Sequence, residues 1–193
     1  QVLRRSVADA QLVRALALFS AALALLQPGL ADADSRTQAK RMHDRLAGVP
    51  PTAAVLDAMA ADLAAGRSID AAYKAMEHRA FYDVTLKNFA MPWTNRDQTV
   101  FAPLNDYVAT VIGMVRDDVP FNLLLSEDIL YIGSGAGVPP FSASSNAHYE
   151  ALESSGANLK AVLARTTQSA SAGLPPDATA GVMTSRAAAQ AFF

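Results

Sequence analysis

The sequence predicts a mainly α fold, an irregular multi-helix domain with long Gly/Pro loops and at most one short β-like segment. Three observations carry this expectation. Alanine occupies 40 of 193 positions, an excess that favours helix. Apolar residues recur at helical spacing over most of the chain, most clearly at Leu104, Tyr107, Val108, Val111, Ile112 and Val115. Glycine, proline and serine gather instead in two stretches, Gly133 to Ser145 and Ala172 to Gly181, which read as loops.

The chain starts with an address-like segment. Arg4, Arg5 and Arg14 precede an apolar run from Ala15 to Leu26, which Gln27-Pro28-Gly29 breaks before Ala31-Asp32-Ala33. That order of charge, apolar run and small-x-small site is that of a secretory signal peptide over residues 1–33. The run is too short for a stable membrane span, which needs about 20 apolar residues. A buried Ala/Leu helix or an N-terminal anchor is the alternative reading. Residues 34–193 then form the helical domain, and the expected location is exported, periplasmic or extracellular.

Within that domain, Ser35 is expected to cap a helix with Ala39, Met42 and Leu46 on one face and Gly48 past its end. Val49-Pro50-Pro51 is an extended connector, because proline pushes its predecessor out of the helical region. Thr52 caps a second helix with Val55, Leu56, Met59 and Leu63 inward, closed by Gly66. Ser68 caps a third, reaching about Arg79 with Ala72, Tyr73 and Met76 inward. A short helix follows from Phe81 to Ala90, with Phe81, Val84 or Thr85, and Phe89 on its apolar side. Met91 to Asp97 is a loop, and the helix from Leu104 to Val115 leaves Asn105, Asp106, Arg116 and Asp117 off its stripe. Pro120 opens a short helical turn with Phe121, Leu124 and Leu125. Ile129 to Ile132 is the one β-like run, and helix fills Ala147 to Thr167. The chain opens on Gln1 and closes on an apolar helix from Arg186 without a stop signal, which reads as a piece of a longer reading frame.

Composition excludes several chemistries. Zero cysteine removes disulfides, thiolate metal sites, a cysteine nucleophile and covalent c-type haem from these residues. A net charge of -2 argues against a nucleic-acid partner. Gly133-Ser134-Gly135-Ala136-Gly137 is followed by Val138-Pro139-Pro140 rather than a helix start, so it reads as a surface loop, not a phosphate cradle. His43, His78 and His148 are isolated and read as exposed or core-edge residues, leaving no metal site. Asp117-Asp118 and Glu127-Asp128 read as caps and solvated charges. The stretch of most interest is Trp93-Thr94-Asn95-Arg96-Asp97. It offers an aromatic face, an amide, a guanidinium and a carboxylate, an inventory suited to a sugar or an anion. Trp93, Asn95, Arg96 and Asp97 are therefore the candidate binding residues. The reading preferred for the loop itself is nevertheless structural, with Trp93 plugging the core against the Leu104 to Val115 helix while Arg96 and Asp97 pair.

Three motifs carry a family resemblance. Arg45-Leu46-Ala47-Gly48-Val49-Pro50-Pro51-Thr52, the segment Asp118 to Ile132, and Gly181-Val182-Met183-Thr184-Ser185 occur in that order. Together they resemble a region of large secreted bacterial proteins that carry planctomycete-type cytochrome c domains. The resemblance implies an exported helical region without agreed catalytic residues, and a Cys-x-x-Cys-His haem motif elsewhere in the chain. The expected function is that of a scaffold within a larger cytochrome-associated protein, redox-linked by association only. The c-type haem would then lie downstream, and the partners would be the rest of the same chain, a redox partner or a glycan. The alternative is an extracytoplasmic binding module for a glycan or a protein. No motif decides whether the chain is an enzyme.

Overall fold

The structure, a computed structural model, describes residues 34–192. The signal-peptide reading falls on residues outside that range. Among the described residues there are nine α-helices, short π and 3-10 turns, and one two-stranded sheet, so the fold is mainly α.

The first layer is three helices: α1 (Ser35–Ala47), α2 (Ala53–Ala64) and α3 (Ser68–Met76). Their shared core is small. Ala39, Met59, Ala71 and Ala75 are buried, with Met42, Leu46, Val55, Leu56 and Leu63 packed around them. Thr52 caps α2, its hydroxyl accepting from the Val55 amide at 3.3 Å. Gly48 and Gly66 close α1 and α2 at φ +71° and +75°, in the left-handed region that a Cβ disfavours. Helix α3 departs from expectation in two ways. Arg67 rather than Ser68 occupies the cap position. The helix also turns its smallest residues, Ala71 and Ala75, to its neighbours, and Tyr73 is exposed. The larger Met59 and Leu side chains of the neighbouring helices fill the space against these two methyl groups, and Tyr73 is left outside.

The next segment shows why helical spacing failed there. Phe81–Leu86 forms a π-turn, followed by α4 (Lys87–Ala90) and a 3-10 turn (Met91–Thr94). A π-turn inserts one residue per turn relative to an α-helix. The inward positions after Phe81 and Tyr82 are therefore Leu86, Ala90 and Met91, all buried. Val84 and Phe89, expected inward, are on the outside.

The centre of the domain is α5 (Asp106–Arg116). Asn105 caps it, its side chain accepting from the Val108 amide at 3.1 Å. Every residue from Asp106 to Met114 is buried, so α5 is covered on all sides rather than along one stripe. Asn105 and Asp106, expected off the stripe, are buried too, because other elements close over the N-terminus of the helix. Gly113 lies against the ring of Tyr131, which occupies the space a Cβ would need. After a 3-10 turn (Phe121–Leu125), Tyr131 is presented by β1 (Leu130–Ile132). Strand β1 pairs antiparallel with β2 (Ala164–Thr166), in register Leu130↔Thr166, Tyr131↔Arg165 and Ile132↔Ala164.

Strand β2 is an addition to the single β-like segment expected, and it shortens the helical stretch expected up to Thr167. Its sequence, Ala-Arg-Thr, has no apolar alternation, and it forms because the backbone groups of β1 need a partner. Around this centre lie α6 (Ala147–Ser154), α7 (Leu159–Val162), α8 (Gln168–Ala172) and α9 (Arg186–Phe192).

Candidate functional site

The candidate site grows from the π-turn. By rotating the chain, it leaves Phe89 outside, and Trp93 follows four residues later on the same side. The two rings lie 6.2 Å apart and tilted by 39°. Trp93 is 59% exposed, so it does not plug the core against α5. Its neighbours Met91 and Thr94 take the inward places instead. Thr94 donates to the Met91 carbonyl at 2.8 Å and accepts from the Asn105 amide at 2.9 Å, fixing the 3-10 turn to the cap of α5.

Asn95 is a clasp. Its Nδ2 donates to the carbonyls of Met91 and Thr99 at 2.8 and 2.9 Å, and its Oδ1 accepts from the Thr99 amide at 3.0 Å. These bonds commit the side-chain amide to holding the loop, which removes Asn95 from the residues able to bind a ligand through that amide. The loop turns back at Gln98, whose φ of +50° is in the left-handed region. Arg96 and Asp97 are both exposed and form no ion pair with each other, contrary to the pairing expected of a structural loop. The Arg96 guanidinium has no hydrogen-bond or ion-pair partner among the described residues.

Helix α9 supplies the opposite wall. Pro92, Trp93, Asn95, Arg96, Gln98, Ala191 and Phe192 enclose an open cleft of about 750 Å³. Asp97 does not line it. Three of the four candidate residues are thus brought together at one cleft, and Gln98 and Phe192 join them, while Phe89 lies beside Trp93 without lining it. The Phe89/Trp93 spacing of four residues was a signal available in the sequence. The approach of α9, about a hundred residues away along the chain, was not.

Asp106 positions that wall. It is buried, and its carboxylate accepts from the amides of Arg186 at 2.6 Å, Ala187 at 3.1 Å and Tyr107 at 2.9 Å. It therefore caps α9 from the start of α5, favourably placed for the helix dipole. Burial pushes its pKa up from the ordinary carboxylate value, against the opposing pull of the three amides and of Arg186.

The other polar residues have structural work. His148, expected exposed or at the core edge, is buried, with Nδ1 donating to the Pro139 carbonyl at 2.7 Å and Nε2 accepting from the Gly133 amide at 3.1 Å. Both ring nitrogens are used, so it pins the Gly-rich loop and has none left for a metal or haem iron. His43 is buried as well, its Nδ1 bonded to the Val49 carbonyl at 2.7 Å and its ring edge-on to exposed His78. Asp117 pairs with Arg116 at 2.7 Å and accepts from the Tyr131 hydroxyl at 2.8 Å. Asp128 caps α8 through the Gln168 and Ser169 amides at 2.8 and 3.2 Å. Among the described residues no group of three His, Cys, Asp or Glu could hold a metal ion, and no helix is long and apolar enough to cross a membrane. No family model, curated protein or solved structure matches this chain.

Proposed function

We propose that the chain is a helical scaffold whose working surface is the Trp93 cleft, making it a binding module rather than a catalyst. One observation carries this reading: the only tryptophan of the chain is on the surface, beside an arginine without an ion-pair partner among the described residues, in a loop that Asn95 and Thr94 hold rigid. A rigid mount matters because a preorganised aromatic loses little conformational freedom on binding. Among the described residues no nucleophile–base pair or metal cluster lies at the cleft, and the side chains that line it suit contact rather than chemistry.

The wider setting is that of the exported, cytochrome-associated proteins that the three sequence motifs resemble. The domain would there supply recognition beside a redox module. A c-type haem needs cysteine thioethers, which these 193 residues do not provide, so the haem would belong to another part of such a protein. None of the binding described here involves it.

The sole tryptophan makes the test direct. Its emission reports on the cleft, so the chain is titrated with a panel of neutral saccharides, acidic saccharides and peptides. A saturable change with one class, abolished by Phe192→Ala with an unchanged melting curve, supports the reading. Silence across the panel overturns it.

A further inference from the structure

We infer that the ligand of the Trp93 cleft is an acidic saccharide, which lays a sugar face on the indole and gives a carboxylate to Arg96. This deepens the reading of the cleft as a binding site and rests on it.

The aromatic side of the argument is the shape of the platform. Trp93 and Phe89 present adjacent exposed rings tilted by 39°, and Phe192 is exposed on the opposite wall. A pyranose ring has a C–H face that fits such a surface and an edge of hydroxyls that needs polar partners. Tryptophan serves such mixed surfaces because it is large, rigid and amphipathic. Gln98, at the rim, offers both a donor and an acceptor to those hydroxyls.

Charge selects the class. Among the described residues, Arg96 lines the cleft without an ion-pair partner, and no carboxylate side chain lines it. A guanidinium presents a planar fork of donors that matches a carboxylate in two parallel bonds. A cationic ligand would meet repulsion there. A nucleic acid would need many cations, and the chain carries a net charge of -2. A peptide that adds as a strand would need a sheet edge, and the walls here are a 3-10 turn and a helix. The adjoining recess of about 260 Å³ shares Asn95 with the cleft but holds Glu150 as well as Arg186, so it adds no second clean anion site. Recognition of the acid thus falls to Arg96.

The test compares two probes on the full chain by tryptophan emission: an oligomer of galacturonic acid and the matching neutral galactose oligomer. The acidic oligomer should bind about tenfold more tightly or better, the value expected of one charge-assisted pair. Added salt should weaken the acidic probe alone. Arg96→Gln, a change at an exposed position, should leave the melting curve in place and bring the two affinities together. Equal affinities in the wild type would overturn the acidic class while leaving the cleft a saccharide site, and a preference that survives Arg96→Gln would overturn the pairing of the acid with Arg96. In the wider panel of saccharides and peptides, binding of peptides only would overturn the saccharide, and no response to any member would remove the binding reading itself.

Discussion

Two buried aspartates secure two regions of this molecule, and they are held by opposite means. In the three-helix region, Asp62 is held by side-chain cations, bonding Arg67 at 2.6 Å and Lys74. In the α5-centred region, Asp106 is held by backbone amides from α5 and α9. Lys74 first, and then Arg67, draw the Asp62 pKa below the ordinary carboxylate value, whereas burial raises that of Asp106. The first region is sealed at its surface by local charge pairs, whose partners are five and twelve positions apart in the chain. The second is closed from within by a cap spanning eighty residues. The contrast teaches that the part of the molecule framing the cleft depends on long-range closure, and so should be the easier to break.

The largest expected effect is at the contact of α5 with β1. Gly113→Val drives a branched side chain into the Tyr131 ring, which is itself buried. Overpacking a tight core costs about 1–3 kcal/mol and more where nothing can yield. We expect loss of the cooperative thermal transition, monitored by circular dichroism. A transition kept at the wild-type temperature would show that α5 and β1 are not closely packed.

Next is Asp106→Ala. It strips three amides of their acceptor, and each orphaned buried donor costs about 1–3 kcal/mol. A fall in Tm of roughly 10 °C is expected, at about 2–4 °C per kcal/mol for a chain of this size. Asp106→Asn, which keeps one acceptor oxygen, should fall less. Asp62→Ala should cost less than Asp106→Ala, because Arg67 and Lys74 can turn to water when it is gone. Its deficit should shrink in high salt, whereas that of Asp106→Ala should not.

The pH dependences separate the two further. Asp62 has a lowered folded pKa, so its stabilisation is complete above the unfolded value of about 3.9 and is lost as pH falls through the folded value. Asp117, lowered chiefly by its hydrogen bond from Arg116, acts the same way. Asp106 has a raised folded pKa. Its contribution is complete below about 3.9 and is lost as pH rises through the folded value. Denaturant midpoints measured across this range should show Asp62→Asn flattening the acid side and Asp106→Asn flattening the side above it. The reverse assignment would contradict the account of both.

Legibility in the sequence followed the same division. Helices α1 and α2, their glycine stops and the Thr52 cap were readable, because local spacing and capping chemistry decide them. Tyr73 was misplaced because the alanine contact of α3 exists only in three dimensions. Phe89 was misplaced because one π-turn moves every later residue off an α-helical wheel. Strand β2 had no pattern of its own to read. At the site, composition picked out the Trp93 to Asp97 stretch. The commitment of Asn95 to its own loop, the separation of Arg96 from Asp97, and the wall made by Phe192 depend on contacts that no local pattern encodes.

The smallest expected effect on stability tests the central claim most directly. Trp93→Ala removes the largest side chain in the loop, yet the indole is on the surface and the turn is held by Thr94 and Asn95. Its thermal melt should overlay that of the wild type to within about 0.5 kcal/mol, as for surface changes generally. A sharp drop, on the scale of the about 3–5 kcal/mol lost when a buried aromatic is cut to alanine, would mean that Trp93 belongs to the core and that the cleft is not a binding surface.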